Sequence, residues 1–71
     1  MGRKSREGNI LNPFERALDV VQLLHAGNGL SPLSIYDRYG LNKRTGYRIY
    51  NQISRVLPVY EVGGKIYWMK N

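Results

Sequence analysis

Two helix-patterned stretches meet across three residues, Gly40-Leu41-Asn42, and that junction constrains the fold of this chain more than any other feature. Glycine takes the left-handed backbone conformation at little cost, so Gly40 can end one helix and let the chain turn sharply. Asparagine two residues later is a strong N-cap, because its side-chain oxygen accepts from the free backbone N–H groups of the following turn. A new helix therefore starts at Lys43 while the previous one is still adjacent, and the two must cross. Before the junction, Ser31 caps, Pro32 opens and Gly40 closes a short helix whose buried side draws on Leu33, Ile35, Tyr36 and Tyr39. After it, the spacing predicts a helix from Lys43 to about Val56, ended by Leu57-Pro58, with Ile49, Tyr50, Ile53 and either Val56 or Leu57 turned inward.

The flanks supply the rest of a core. Upstream, Asn12, Pro13 and Glu15 are the N-cap, first-turn proline and capping-box glutamate of another helix. Phe14, Ala17, Leu18, Val21 and Leu24 follow at helical spacing and predict one apolar stripe, which Gly27 ends. Downstream, Val59-Tyr60-Glu61-Val62 and Lys65-Ile66-Tyr67-Trp68-Met69 flank Gly63-Gly64, a hairpin signal because both turn positions need positive φ. That turn puts Ile66 and Trp68 on one face with Val59, and Tyr67 and Met69 on the other with Tyr60; the pattern does not choose the inward face. The expected fold is α+β, mostly α: three helices and a C-terminal two-stranded β-hairpin over residues 12–71. A flexible basic arm is expected at residues 1–11, with order near Ile10 and Leu11.

Charge and size then bound the function. A chain of 71 residues buries only about 60% of its unfolded surface, so a deep active site is hard to build. There is no cysteine and one histidine, His25, which excludes disulfides and thiolate or multi-histidine metal sites. His25 is expected to act as a favourable charge at a helix end. With no nucleophile–base pair and no carboxylate pair, an enzyme is not expected, nor is a cofactor or small-molecule ligand. No apolar run approaches the ~20 residues of a membrane span, and the N-terminus lacks a signal-peptide pattern. A cytoplasmic, nucleoid-associated location is expected.

The net charge is +6, and it is unevenly placed. Residues 38–55 hold Arg38, Lys43, Arg44, Arg48 and Arg55 without an acid, whereas residues 13–26 are close to neutral. If Ile49, Tyr50 and Ile53 face the core, Lys43, Arg44, Tyr47, Arg48, Asn51, Gln52 and Arg55 are left outside. Such a set suits double-stranded DNA. Arg bonds guanine bidentately, and Asn or Gln bonds adenine, while Thr45 and Tyr47 hydroxyls suit phosphate. A helix-turn-helix lays its second helix in the major groove. On this reading Arg44, Arg48 and Asn51 contact bases and Lys43, Thr45, Tyr47 and Arg55 contact phosphates. Lys65, beside the hairpin turn, is placed to reach a phosphate or the minor groove, and Arg3, Lys4 and Arg6 to follow a minor groove. A solvated lysine and an inert basic tail are the plainer readings of these last four.

The stretch Leu30 to Trp68 resembles the winged helix-turn-helix of DeoR-type and WYL-type transcription regulators. Gly40-Leu41-Asn42-Lys43-Arg44-Thr45-Gly46-Tyr47-Arg48 matches their glycine turn and S-x-R-T-x-Y-R run, with Asn for the capping Ser. Pro58 and Gly63-Gly64-Lys65-Ile66-Tyr67-Trp68 match the later hairpin. The resemblance implies that Arg44, Thr45, Tyr47 and Arg48 contact DNA and that the hairpin is the wing. Two positions depart from the family. Tyr36 stands where it usually has Ala, and Gly46 where it usually has Val or Ile. These positions face each other across the turn, so Tyr36 is expected to fill the space a larger residue 46 would take. Those regulators continue into a large effector domain, whereas this sequence stops at Asn71. A stand-alone module of this kind is expected to serve as a phage or mobile-element regulator, an excisionase-like architectural protein or an accessory subunit, with self-association on DNA through the arm or wing an open option.

Two other classes compete. A winged-helix protein-interaction module predicts a contiguous apolar surface patch and no salt-sensitive DNA affinity. An RNA or single-strand binder predicts exposed aromatics for base stacking. Against the latter, Tyr36, Tyr39 and Tyr50 fall on expected core faces, Tyr60 and Tyr67 pair across the hairpin, and Trp68 is expected to pack it onto the helices.

Overall fold

The capping and turn signals of the sequence act where they stand in the chain. A computed structural model describes residues 11–70. In chain order these form α1 (Pro13–His25), α2 (Pro32–Tyr39), α3 (Lys43–Val56), β1 (Val59–Val62) and β2 (Lys65–Trp68). This is the expected α+β arrangement of three helices and a hairpin. Leu11 packs against the core. Among the described residues no helix is long and apolar enough to cross a membrane.

Each helix start satisfies one of its orphan N–H groups with the side chain of its N-cap. The Glu15 N–H donates to Asn12 Oδ1 at 2.8 Å and the Asn12 N–H donates back to Glu15 Oε1 at 3.1 Å, which is the expected capping box. Ser31 and Ser34 form a second reciprocal box, with N–H to Oγ distances of 3.1 and 2.8 Å. At α3, the Thr45 N–H donates to Asn42 Oδ1 at 2.8 Å. The end of α1 closes by two reversed bonds around Gly27 at φ 97°: its N–H donates to the Leu24 carbonyl, and that of Asn28 to the Leu23 carbonyl. Gly40, at φ 66°, closes α2 in the left-handed region.

The sheet is a hairpin with register Val59↔Trp68, Tyr60↔Tyr67, Glu61↔Ile66 and Val62↔Lys65. Gly63 and Gly64 take positive φ at its turn. On its other edge β2 pairs with Leu30, which exchanges two backbone hydrogen bonds with Ile66 at 3.0 and 2.9 Å. The inward face is therefore that of Ile66, which is buried, with Val59 and Trp68 packed against the core. Trp68 meets His25 edge-on at 5.3 Å, which holds the hairpin to the end of α1. On the opposite face Tyr60 and Tyr67 stack at 5.8 Å as expected.

The core comprises Val20, Leu24, Leu30, Ile35, Tyr39, Tyr50, Ile53 and Ile66. It corrects two apolar expectations and decides one that was open. Leu33 is exposed rather than buried on α2. Leu57, not Val56, closes the inner side of α3; Val56 is 77% exposed. In α1 only Leu24 of the expected stripe is fully buried: Val20 takes the core, and Phe14, Ala17 and Leu18 face outward. The stripe is apolar at helical spacing, but α1 is rotated so that its other side meets α2 and β2. A polar anchor at Asp19 accompanies that orientation.

Asp19 accepts from Arg38 Nε at 2.9 Å and from the Tyr39 hydroxyl at 2.7 Å, tying α1 to α2. Burial pushes the Asp19 carboxyl up, but the hydrogen bonds from Arg38 and Tyr39 and the guanidinium charge outweigh it and hold it below its usual value. A carboxyl depressed on folding adds stability above its unfolded pKa, near 3.8, and that stability is lost as pH falls through the lower folded value. Arg38 is nearly half exposed, so the ion pair itself contributes little. The hydrogen bond from the Tyr39 hydroxyl matters more, because the Tyr39 side chain is buried and the bond itself is partly buried. Asp19→Ala is therefore expected to cost about 1–3 kcal/mol by orphaning it, and to flatten the loss of stability below about pH 4; chemical denaturation at pH 3 and pH 7 measures both.

Candidate nucleic-acid interface

The inner side of α3 is fixed by Gly46, Tyr50 and Ile53, all buried. At about 100° per residue, Arg44, Arg48, Asn51 and Arg55 point away from that side, and Lys43 and Tyr47 continue the exposed surface round to its edge. These six fall within an arc of roughly 140° on the same geometry, and all are exposed. Thr45 is half-buried at the flank, its N–H held by Asn42. Among the described residues no carboxylate pairs with the four cations of α3; the ion pair present joins Arg38 to Asp19. Arg38, counted in the basic run by sequence, is thus neutralised and belongs to the scaffold.

Three further expected parts of the site are not brought into this set. Gln52 is exposed but stands at the α1 side of the helix, lining a groove with Pro13, Ala17 and Val21. Lys65 is exposed at the start of β2, on a separate element. Arg3, Lys4 and Arg6 lie outside the described residues.

Two contacts hold the face in place. Gly46 lets α2 and α3 touch: a Cβ built there would stand 2.7 Å from both Cβ and Cδ2 of Tyr36 and 3.1 Å from the Pro32 carbonyl oxygen. The expected exchange of volume between positions 36 and 46 is present. Glu61, which has no evident partner in sequence, accepts from the Tyr50 hydroxyl at 2.8 Å and so ties the hairpin to α3. Burial, then the bonded carboxylate, push the Tyr50 hydroxyl up to about 12, so it stays a donor at neutral pH. Only the tertiary approach of α3 and β1 reveals this pair, since nothing in the spacing of 50 and 61 announces it.

No family model, curated protein or solved structure matches the chain.

Proposed function

We propose that this chain binds double-stranded DNA through α3, as a small transcriptional regulator of the winged helix-turn-helix kind. One observation carries the reading: Lys43, Arg44, Tyr47, Arg48, Asn51 and Arg55 share one exposed, acid-free side of a rigidly packed helix. A helix of this width fits a major groove. Its N-terminal half presents Arg44 and Arg48 for guanine edges, with Asn51 for adenine further along. Lys43, Thr45, Tyr47 and Arg55 take phosphates, and the hairpin lies beside the helix as a wing, with Lys65 near its tip. The likeness to DeoR-type and WYL-type regulators in the R-T-x-Y-R run points the same way. No catalytic role and no cofactor enters this reading.

The experiment is selection of bound sequences from a random duplex pool, followed by titration of the winner at several salt concentrations. A single enriched motif is expected. Log affinity should fall against log salt with a slope of about −2 to −3, from Lys43, Arg55 and Lys65 releasing about 0.9 counterion each. A slope near zero, or equal binding of an unrelated single strand, overturns the proposal.

A further inference from the structure

The outward turn of α1 leaves an apolar surface that the charge distribution singles out. Phe14 is 71% and Leu18 54% exposed, and the equally exposed Val56 stands across from them on α3. Between the helices runs a groove of about 290 Å³, lined by Pro13, Ala17, Val21, Ile49, Val56 and Leu57, with Arg16 and Gln52 as its polar members. Ala17 and Val21 line the groove, and Phe14 and Leu18 follow on the same side of α1 at helical spacing. Large side chains and the hollow to receive them therefore share one face.

We infer that this α1–α3 face is a homodimer interface, in which a second copy of this chain seats its Phe14 and Leu18 in the groove. Two arguments choose that occupant. The first is symmetry: a two-fold contact uses the same patch on both copies, so it needs knob and groove on one face, as here. The second is charge. The molecule carries +6 overall, and like charges repel a second copy from the outer side of α3. Along α1, Glu15 offsets Arg16 and Asp19 is neutralised by Arg38. Along its α1 edge the apolar face is thus flanked by balanced charge, which keeps repulsion between two copies small there. The inference stands apart from the proposed function, because its test contains no DNA.

Sedimentation of the full chain over a concentration series, in buffer without nucleic acid, is the test. The expected result is a reversible monomer–dimer equilibrium. The Phe14→Glu and Leu18→Glu variants, at positions outside the core, should keep the native circular dichroism, and the thermal transition of the dilute monomer, while dimerisation weakens at least about tenfold. A wild-type chain that stays monomeric at millimolar concentration overturns the inference. So does a dimer unmoved by both substitutions, which places the contact elsewhere. If removal of residues 1–10 creates or strengthens the dimer, the chain's own N-terminal segment occupies the groove, and the inference fails in favour of that occupant.

Discussion

Gly46→Ala is expected to destabilise the domain by up to about 2 kcal/mol, even though alanine gains about 1 kcal/mol over glycine in a helix. The sign is decided by what the new methyl group meets. At 2.7 Å it would touch Cβ and Cδ2 of Tyr36, and at 3.1 Å the Pro32 carbonyl oxygen. Two of these three atoms are backbone or next to it, so no rotamer change relieves them; α2 and α3 must move apart. Overpacking of this kind costs about 1–3 kcal/mol, which exceeds the propensity gain when rigid atoms are the neighbours. Gly46→Val brings two more carbons into the same space and is expected to cost about 3 kcal/mol or more. Each kcal/mol lowers the midpoint of a domain this small by about 4–8 °C, so a thermal melt reads both. Tyr36→Ala removes Cδ2 but leaves its Cβ, so it should restore only part of the loss in the Gly46→Val background. A coupling energy of at least about 0.5 kcal/mol is expected between the two positions. A more stable Gly46→Ala variant would mean that the helices do not meet there.

The second large effect is on binding. Arg44→Ala combined with Arg48→Ala is expected to weaken affinity for the selected duplex by about 2–6 kcal/mol, from about 1–3 kcal/mol for each base-reading arginine. Both side chains are exposed and stand apart from the core, so the melting transition should stay within about 0.5 kcal/mol of wild type per surface substitution. The same pair should relax sequence preference more than it reduces the salt slope, because base contacts specify and phosphate contacts position. Lys43→Ala is the control with the reverse signature: a shallower slope by about 1 and an unchanged motif. Fluorescence anisotropy on the selected duplex and on a scrambled one separates the two patterns. Equal loss on both duplexes after the double substitution would assign these arginines to phosphate alone.

Much of the fold was legible in the sequence for a local reason. Asn12, Ser31 and Asn42 cap the residues just after them, Gly27 and Gly40 end helices at their own positions, and Gly63-Gly64 turns the chain on itself. The exposed set on α3 was readable for the same reason, since helical period and the position of Tyr50 and Ile53 are enough to place it. The failures fall where two elements compete for one side chain. In α1 both Phe14-Ala17-Leu18-Val21 and Val20-Leu23-Leu24 are apolar, and spacing alone cannot rank them. Arg38 read as part of a basic run because its partner, Asp19, lies nineteen residues earlier.

From the amino acids alone came the order of helices and hairpin, the crossing at Gly40 and the acid-free side of α3. All of these rest on interactions within a few residues of one another. Tertiary packing decided which side of α1 is inward, that Ile66 rather than Tyr67 faces the core, and that Glu61 and Asp19 have partners. Those outcomes depend on which distant groups arrive together, and burial is a property of the assembled layers rather than of any one segment.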